Sequence, residues 1–396
     1  MNILYVSTVC SKKTVFNIFS NSDIKIAQSI QKFNQLLLEG FVTEKIKVTA
    51  LSSIPIDLSV IKDLNIKRKE TDKGIQYIYT EKSLNNYCNA IITFLSSFYQ
   101  TFIWGVRNKK EDAVIICDVL IVSVCMGALF ASKILGIKII GIVTDIPDLM
   151  VGGNRNSYSK LASSVNKKYI NNFDLYILLT EQMNELVNLR KKPYMIMEGL
   201  VDSSMKEVES KEKDNPKNII YAGGIYKRYG VKTLIDAFMM IEDDSIQLSI
   251  YGHGDLQDYI KKCSLEDNRV KYFGIVPNNE VVEAQLSATL LVNPRPSNEE
   301  FTKYSFPSKN MEYMVSGTPV LTTKLPGMPK EYDDFVYLFE EESLTGYFKK
   351  IKEVLSLHSD ELKEKGESSK IFVLKEKNNV VQAKRILNFI NDNLSK

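Results

Sequence analysis

Residues 293–321 read NPRPSNEEFTKYSFPSKNMEYMVSGTPVL, and this stretch decides the fold. Its pattern predicts the end of a strand, a polar loop, a short helix and then the next strand. Pro307 suits the start of the helix, because a helix leaves its first N–H groups without partners and proline lacks one. Gly317 and Pro319 end the helix. A helix between two strands is the repeating unit of α/β proteins.

The polar chemistry of this stretch is concentrated where the helix begins. The free N–H groups and the positive dipole end of a helix attract anions. Polar and basic side chains stand beside that end, namely Tyr304, Ser305, Ser308 and Lys309. The pattern therefore predicts a phosphate-binding site, with Glu312 about one turn into the helix.

The stretch resembles the signature of family 4 glycosyltransferases, which are retaining nucleotide-sugar enzymes with the two-domain GT-B fold. Glu312 matches the second of two glutamates in that signature, and the resemblance implies that it accepts the ribose hydroxyls. Tyr304 stands where the first glutamate is expected. The alternative is that Glu312 only complements the helix dipole, which is worth ~0.3–1 kcal/mol. The variant FPSK-x-x-EY-x-x-SG-x-P is similar to that of capsule and exopolysaccharide transferases, which implies that Lys309 is an extra phosphate ligand.

The segment NIIYAGGIYKRYGVKTLIDAF, residues 218–238, predicts a strand, a glycine turn and a helix. Gly223 and Gly224 would let the backbone approach a phosphate. The segment resembles the family's strand-loop-helix, in which an arginine and a lysine bind the donor pyrophosphate. Gly224 and Tyr229 occupy those two positions here, so the resemblance implies that Lys227 and Arg228 replace the cations from shifted positions.

Two further turns resemble donor-binding turns of the family. Gly252 lies in YGHGDLQDYI, and Gly274 with Ile275 matches the loop that cradles the nucleobase. Arg295 is predicted at a sheet edge. The donor-binding prediction therefore comprises Gly223, Gly224, Lys227, Arg228, Gly252, Gly274, Ile275, Arg295, Tyr304, Ser305, Ser308 and Glu312.

The strand Lys138–Val143 runs into VTDIPDLM, so carboxylates follow the end of a parallel strand, where open α/β sheets place ligand chemistry. Thr144 and Asp145 occupy the place of the family's histidine-aspartate pair, and Asp148 follows. We predict Asp145 as the acceptor-side catalytic group, a base or hydroxyl-positioning carboxylate, and Lys309 as the second catalytic residue. The alternative is that Asp145 only caps the next turn.

Two apolar segments of the first half have more than one interpretation. Residues 89–110, NAIITFLSSFYQTFIWGVRNKK, predict either a helix buried against a sheet or an interfacial helix touching lipid. Residues 114–135 are long enough to span a membrane, but Asp118 and Lys133 interrupt them. We interpret them as a strand followed by a helix over 119–135, with Asp118 as its N-cap and Gly136 as its stop.

Composition bounds the class of protein. The chain has 396 residues, of which 44% are apolar, and a net charge of +3. Residues 1–200 hold 24 basic and 17 acidic residues, so this half carries +7 and the remainder −4. The positive charge of this half has two explanations. One is binding to an anionic membrane surface or to a pyrophosphate-bearing acceptor, and the other is an ordinary solvated surface. Without a basic stripe carrying interleaved aromatic residues, no nucleic acid is predicted as a partner.

Cysteine and histidine usage indicates the cellular compartment and limits the kind of metal site. The five cysteines are scattered and odd in number, which predicts a reduced, cytoplasmic compartment. Two histidines exclude a multi-histidine metal site. We predict neither a metal nor a cofactor, because fixed positive charges of the protein can do the work of a divalent ion at a leaving diphosphate. The N-terminus MNILYVST begins as a strand and lacks the pattern of a signal peptide.

The predicted fold class is α/β: GT-B, with two Rossmann-like domains facing a central cleft and a C-terminal helix crossing back to the first domain. The predicted domains are 1–204 for the acceptor, 205–374 for the nucleotide sugar, and 375–396 for that helix. We predict a retaining hexosyltransferase that uses a nucleoside diphosphate sugar, with UDP favoured, and a sugar or lipid-linked sugar acceptor in bacterial surface polysaccharide assembly. It would be cytoplasmic, with peripheral contact at the inner face of the cell membrane left open.

Two alternatives remain at this stage. One is a non-catalytic GT-B subunit that stabilises a partner transferase, which the missing glutamate and the shifted cations favour. The other is a nucleotide-sugar epimerase or a phosphorylase on the same scaffold. The scarcity of histidine and the lack of a cofactor-lysine motif count against the second.

Overall fold

The structure, a computed structural model, describes residues 1–22, 28–108, 112–146, 168–208 and 216–394. The chain divides into two compact units: unit 1 is Met1–Leu200 with Asn379–Lys396, and unit 2 is Val201–Asn378. The predicted boundaries, after residues 204 and 374, each lie four residues from these. The last helix, Asn379–Leu394, belongs to unit 1, where it packs against the helix Gln28–Thr43.

Within the described residues, unit 1 is built on an eight-stranded sheet in the order β3-β4-β2-β1-β5-β6-β7-β8. All neighbours pair in parallel except β3, which is antiparallel to β4. The strands are β1 Asn2–Ser7, β2 Lys47–Ser52, β3 Lys69–Asp72, β4 Ile75–Tyr79, β5 Ala113–Asp118, β6 Ile139–Val143, β7 Leu175–Leu178 and β8 Tyr194–Ile196. The carboxyl ends of the parallel strands share one edge, so the residues that follow β1, β5 and β6 lie at that edge.

In the part of unit 2 that the structure describes, the strands form a six-stranded, fully parallel sheet in the order β11-β10-β9-β12-β13-β14. The strands are β9 Lys217–Ala222, β10 Ile246–Tyr251, β11 Val270–Gly274, β12 Leu290–Asn293, β13 Val320–Thr323 and β14 Tyr337–Phe339. Alternate residues of β9 enter different cores, since Ile219 and Tyr221 join one buried cluster and Ile220 and Ala222 the other. The sheet is therefore covered on both faces, as parallel sheets require.

Helices connect these strands. They are α1 Lys12–Asn21, α2 Gln28–Thr43, α3 Leu58–Asp63, α4 Asn86–Asn108, α5 Val122–Leu135, α6 Glu181–Val187, α7 Val231–Met239, α8 Gln257–Glu266, α9 Asn278–Ser287, α10 Ser308–Ser316, α11 Leu344–Ser356, α12 Ser359–Glu376 and α13 Asn379–Leu394. No helix among the described residues is both long and apolar enough to cross a membrane.

The predicted start of α5 is wrong. The helix begins at Val122 rather than at residue 119, because β5 continues through Asp118, which pairs with Ile142 of β6. The carboxylate of Asp118 accepts a hydrogen bond from the Leu120 N–H at 3.4 Å, so it stabilises the turn before the helix and is not its N-cap. Gly136, with φ of 68°, ends α5 as predicted.

Helix α4 is buried against the sheet on one side and exposes apolar side chains on the other. Trp104 is buried, and its Nε1 donates a hydrogen bond to Thr49 Oγ1 of β2 at 3.3 Å. Ile91, Leu95 and Tyr99 are exposed instead. The tryptophan therefore anchors α4 to the sheet, and other apolar side chains form its outer side.

Candidate functional site

The candidate site of unit 2 lies at the carboxyl edge of its sheet. From β9 the chain adds β10 and β11 on one side and then β12 and β13 on the other. The order of the strands therefore reverses between β9 and β12. In open α/β sheets ligands bind in the crevice outside the carboxyl ends of the strands at such a point.

Three glycines join the strand ends at this edge. The Gly223 N–H donates to the Tyr251 carbonyl at 2.9 Å, and the Gly252 N–H donates to the Gly274 carbonyl at 2.7 Å. A Cβ at Gly252 would stand 1.8 Å from the Gly223 carbonyl oxygen, so only glycine fits there. The structure therefore brings together the predicted residues Gly223, Gly252 and Gly274.

Helix α10 is held beside β9 by buried polar contacts. The hydroxyl of Tyr313 accepts a hydrogen bond from the Ala222 N–H at 2.8 Å, and the ring is fully buried. The Asn293 amide donates to Asn310 Oδ1 at 2.7 Å. These contacts fix the helix start beside the end of β9. Gly317, with φ of 78°, ends the helix as predicted.

Lys309, in the first turn of α10, reaches over the loop that follows β9. A Cβ at Gly223 would stand 1.8 Å from Lys309 Cε and 2.4 Å from its Nζ, so the lysine occupies the space that the glycine leaves free. Burial, and after it the nearby Arg295 guanidinium, lowers the pKa of Lys309 to about 8, and the Glu312 carboxylate partly opposes this shift. Partial burial disfavours the charged form of this lysine, so an anionic ligand that restores the charge is suited to this place.

Arg295 and Arg228 form a cation-aromatic cluster with Tyr229 and Phe301. The Arg295 guanidinium carbon lies 4.9 Å from the centre of the Tyr229 ring and 5.4 Å from that of Phe301. The corresponding Arg228 distances are 5.2 Å and 5.6 Å. Both arginines therefore contact the same two rings, and Tyr229, which replaces a cation of the family pattern, holds two cations by its ring.

Lys227 is placed differently from Arg228. Its backbone N–H donates to Asp255 Oδ1 at 3.0 Å, and its side chain is exposed. The residues Lys227–Tyr229 form a 3-10 turn that ends at Gly230, with φ of 74°. A Cβ at Gly230 would stand 1.9 Å from the Pro294 carbonyl oxygen, so this glycine lets the basic turn approach the loop after β12.

The remaining residues of the predicted phosphate site surround the start of α10. Ser305 Oγ accepts a hydrogen bond from Arg295 Nη1 at 3.3 Å. Tyr304 ends a 3-10 turn and is half-buried, whereas Ser308 is exposed. Glu312 is half-buried one turn beyond Ser308. Arg295 is thereby tied to the loop just ahead of the helix.

Gly274 and Ile275 follow β11 at the edge of the sheet. Gly274 has φ of 67°, and Ile275 is exposed. Beside them Phe273 stacks on Tyr251, with ring centres 4.7 Å apart and planes 8° apart. This pair was not among the predicted site residues, although alternation along VKYFG would have placed Phe273 on the face opposite Tyr272.

In unit 1, Asp145 lies two residues beyond β6, at the carboxyl edge of the sheet, and is half-buried. Asp148 and the glycine-rich segment after it lie outside the described residues. Asp118, which was predicted only as an N-cap, ends β5 next to β1, where the strand order of unit 1 reverses. Burial raises the pKa of Asp118, and Asn34 donates to its carboxylate at 3.4 Å.

The glycine-free loop after β1 is closed by the protein's own side chains. Ser11 caps α1, and Glu70 Oε1 accepts hydrogen bonds from the hydroxyls of Ser11 and Thr14, each at 2.7 Å. The Lys12 N–H donates to Asp72 Oδ2 at 3.1 Å. In this loop Ser7 and Thr8 are buried, Lys12 pairs with Glu39 at 2.9 Å, and Lys13 is exposed.

Residues 203–370 match the family model described as glycosyl transferases group 1. A search of curated protein sequences finds no significant match. Among solved structures, the chain is similar to sucrose-phosphate synthase from Thermosynechococcus elongatus, with 14% identity, a TM-score of 0.67 and 100% of both chains covered.

Two other solved structures are similar to nearly the whole chain. Anabaena HepE in complex with UDP and glucose has 13% identity and a TM-score of 0.59, with 99% of both chains covered. A mutant of S. aureus TarM in complex with fondaparinux, alpha-GlcNAc-glycerol and UDP has 12% identity and a TM-score of 0.64, with 99% of this chain and 100% of that chain covered.

These likenesses show that the chain has the GT-B fold of two Rossmann-like domains, which confirms the predicted fold class. The family match covers most of unit 2 and the candidate site just described. It supports a glycosyltransferase at the general level.

Proposed function

We propose that this protein is a retaining glycosyltransferase of family 4 that transfers a hexose-type sugar from a nucleoside diphosphate sugar to a sugar acceptor. UDP is the favoured nucleotide, because HepE and TarM, which share the fold, are both complexed with UDP. Bacterial surface polysaccharide assembly is the process in which we place the reaction. The finer parts of the proposal are a lipid-linked acceptor and a cytoplasmic location at the inner face of the membrane.

The observation that carries the proposal is the placement of Lys309 over Gly223 at the reversal point of a parallel sheet. The helix start, the Lys309 ammonium and the Arg295 guanidinium together offer positive charge to a diphosphate. In the reaction the bond between the anomeric carbon and the diphosphate oxygen breaks, and its electron pair leaves with the diphosphate. Positive charge at that place stabilises the transition state, since negative charge grows there as the bond breaks.

The acceptor half of the reaction is assigned to unit 1. The acceptor hydroxyl oxygen bonds to the anomeric carbon on the face from which the diphosphate leaves, so the configuration is retained. Its proton passes to Asp145 or to a leaving phosphate oxygen. We propose Asp145 for this task because it follows β6 at the carboxyl edge and is accessible in part.

Glu312 is assigned to the ribose of the donor. Its place one turn into α10 and beside Lys309 puts a carboxylate within the same group of side chains as the proposed diphosphate ligands. Gly274, Ile275 and the neighbouring Phe273 are assigned to the nucleobase. The exposed ring of Phe273 offers an aromatic surface of the kind on which bases stack.

The first experiment is a thermal-shift panel of UDP, GDP, ADP and dTDP, where a ligand at 100 times its Kd stabilises the protein by about 2.7 kcal/mol. The second measures slow hydrolysis of the matching nucleotide sugar, which needs catalysis but not the true acceptor. Lys309→Ala should abolish most of this hydrolysis, and Lys261→Ala, a substitution of an exposed lysine of α8, should leave it unchanged.

A second candidate function is a GT-B subunit that binds a nucleotide sugar or a partner transferase without catalysis. Tyr304 in place of the first glutamate, and Gly224 and Tyr229 in place of two cations, favour it. Nucleotide binding without any hydrolysis would support this candidate and contradict the enzyme.

A further inference from the structure

Helices α4 and α5 of unit 1 expose a continuous set of apolar side chains. Ile91, Leu95, Tyr99 and Val106 on α4, with Phe130 and Ile134 on α5, are each between 52% and 64% exposed. We call these six residues the α4–α5 face. On α4 they recur at intervals that place them along one side of the helix.

The two helices are held together closely, which makes their outer residues one surface. A Cβ at Gly127 of α5 would stand 2.5 Å from the Phe94 carbonyl oxygen and 2.7 Å from the Phe98 nitrogen of α4. A Cβ at Gly105 would stand 2.4 Å from Leu135 Cδ1. Gly127 therefore brings its helix against the backbone of α4, and Gly105 makes room for the Leu135 side chain, as small residues at a helix contact allow.

Aromatic contacts join the outer ridges of the two helices. Phe94 of α4 meets Phe130 of α5 edge to face, with ring centres 5.8 Å apart. Phe98 and Phe102 stack along α4 at 6.1 Å. The apolar side chains of the two helices thus form one patch rather than scattered exposed residues, and such a patch marks an interaction site.

The charges of the two helices have one sign. The 23 residues of α4 and the 14 of α5 contain Arg107 and Lys133 but no aspartate or glutamate. The contacts of Gly105 and Gly127 show that the helices run in parallel, so Arg107 and Lys133 lie at the same end. Lys133 is paired with Asp174 at 2.7 Å, and the exposed Lys138 follows α5.

The unit that carries this face is itself basic. Residues 1–200 and 379–396 hold 27 basic and 18 acidic residues, a net charge of +9, whereas unit 2 carries −6. An apolar face on a strongly basic unit is the combination that binds an anionic lipid surface.

We propose that the α4–α5 face docks onto an anionic lipid bilayer, with both helices lying along the membrane surface. The apolar side chains would enter the boundary between headgroups and acyl chains, and Arg107 and Lys138 would contact anionic headgroups. A second copy of this chain is the weaker fit, because the face offers no carboxylate with which that copy could pair Arg107. The inference deepens the proposed function, on which it rests for the link to a lipid-linked acceptor, but its test does not involve catalysis.

The test is co-sedimentation of the full chain with vesicles of phosphatidylcholine, alone or with about one quarter phosphatidylglycerol. The variant Leu95→Glu with Ile134→Glu places two carboxylates on the face, and Leu265→Glu is the matched control. Leu265 is 89% exposed, but it lies on α8 of unit 2. All three substituted positions are exposed, so the melting temperatures of both variants should stay near that of the natural chain.

We expect the natural chain and Leu265→Glu to bind the anionic vesicles alike, and the double variant to bind at least about tenfold more weakly. Binding to phosphatidylcholine alone should be weaker, and added salt should weaken binding to the anionic vesicles. Equal binding of the natural chain and the double variant would overturn the proposal. A dimer by analytical ultracentrifugation that the double variant makes monomeric, with no vesicle binding, would also overturn it and assign the face to a second copy.

Hydrolysis of the nucleotide sugar by the same variants separates this inference from the proposed function. A double variant that no longer sediments with vesicles but still hydrolyses donor supports both. A natural chain that binds vesicles and hydrolyses nothing supports the surface and contradicts the enzyme.

Discussion

Gly223 and Lys309 share one space: the lysine side chain crosses the point where a Cβ of residue 223 would stand, 1.8 Å from its Cε. The glycine follows the end of β9, and the lysine comes from the first turn of α10, 86 positions along the chain. A chemical group needed by the proposed reaction is therefore positioned by the absence of a side chain.

Gly223→Ala should displace Lys309 and lower turnover at least about tenfold, as loss of a positioned charge does. Stability should fall by about 1–3 kcal/mol, because Gly223 has a φ of 159°, which residues with a side chain rarely adopt, although the displaced lysine atoms themselves belong to the flexible end of a side chain. Gly252→Ala is the contrasting variant, since its Cβ would meet the Gly223 carbonyl oxygen at 1.8 Å and backbone cannot move as freely. Turnover and melting temperature are the measurements, and Gly223→Ala turnover at the natural level would contradict the role of Lys309.

Nucleotide binding should depend on pH through Lys309. Burial and Arg295 lower the pKa of Lys309 to about 8, and a bound diphosphate favours the charged lysine and raises this pKa. Affinity should be full below about pH 8 and fall above it, by up to about tenfold per pH unit. Binding near pH 8.5 should therefore take up a proton.

Calorimetry in two buffers with different ionisation enthalpies detects this proton uptake, and Lys309→Ala should abolish it. In the unliganded protein the lowered pKa of Lys309 makes stability rise with pH, whereas nucleotide affinity falls. The unfolded lysine binds its proton more tightly, so the free energy of unfolding contributed by Lys309 should rise between about pH 8 and 10.5. Identical heats in the two buffers would contradict the prediction.

Glu312→Ala should weaken nucleoside diphosphate binding by ~1.5–3 kcal/mol, the scale of a hydrogen bond to a charged group. Its control is Glu280→Ala, because Glu280 is an exposed acid in the first turn of α9 and complements a helix dipole without a ligand. If the two variants bind nucleotide equally well, Glu312 serves only the dipole. Isothermal titration gives the affinities.

Arg295→Ala should lower turnover more than stability, because the guanidinium lies beside Lys309 and meets charge growing on the diphosphate. The double variant Lys227→Ala with Arg228→Ala should do the same if the basic turn replaces the two cations of the family pattern. Because Arg228 packs on Tyr229 and Phe301, its replacement should also lower the free energy of unfolding, by on the order of 0.5–1 kcal/mol. If the double variant keeps the turnover of the natural chain, Arg295 and not the basic turn would be the cation that acts beside Lys309.

Asp145→Asn should leave donor binding near normal and reduce sugar transfer by ~10² or more, the scale for a positioned general base. Asp112→Asn, at an exposed position of unit 1, is the control. Transfer within a few-fold of the natural rate would make Asp145 a structural cap. Loss of donor binding as well would place Asp145 on the donor side.

The alternation of strands and glycine turns predicted much of unit 2. Gly223, Gly252 and Gly274 each follow a buried apolar run, and parallel strands place such turns at a common edge. The alternation of elements predicted parallel α/β sheets, and the resemblance predicted the GT-B fold. The position of Lys309 could not be predicted, because it depends on the contact of Tyr313 with Ala222, two residues 91 positions apart.

In unit 1 the local sequence pattern did not decide two points, the orientation of α4 and the start of α5. Helix α4 is apolar around most of its circumference, so its pattern alone could not show that Trp104 faces the sheet and Leu95 faces outward. Asp118 looked like an N-cap because a carboxylate before an apolar run is typical of one. The pairing of β5 with β6, a long-range contact, extends the strand through that residue instead.

Glu70 has a consequence for how this protein responds to salts. Its carboxylate, with that of Asp72, neutralises the start of α1, so unit 1 supplies the counterion for its own first loop. Sulfate or phosphate added to the buffer is therefore expected to bind weakly at this loop. Such anions also stabilise proteins generally by exclusion from the surface, so only the part of the thermal stabilisation that Lys309→Ala or Arg295→Ala abolishes reports on the lysine and arginine of unit 2. That part can be measured before any sugar nucleotide has been identified.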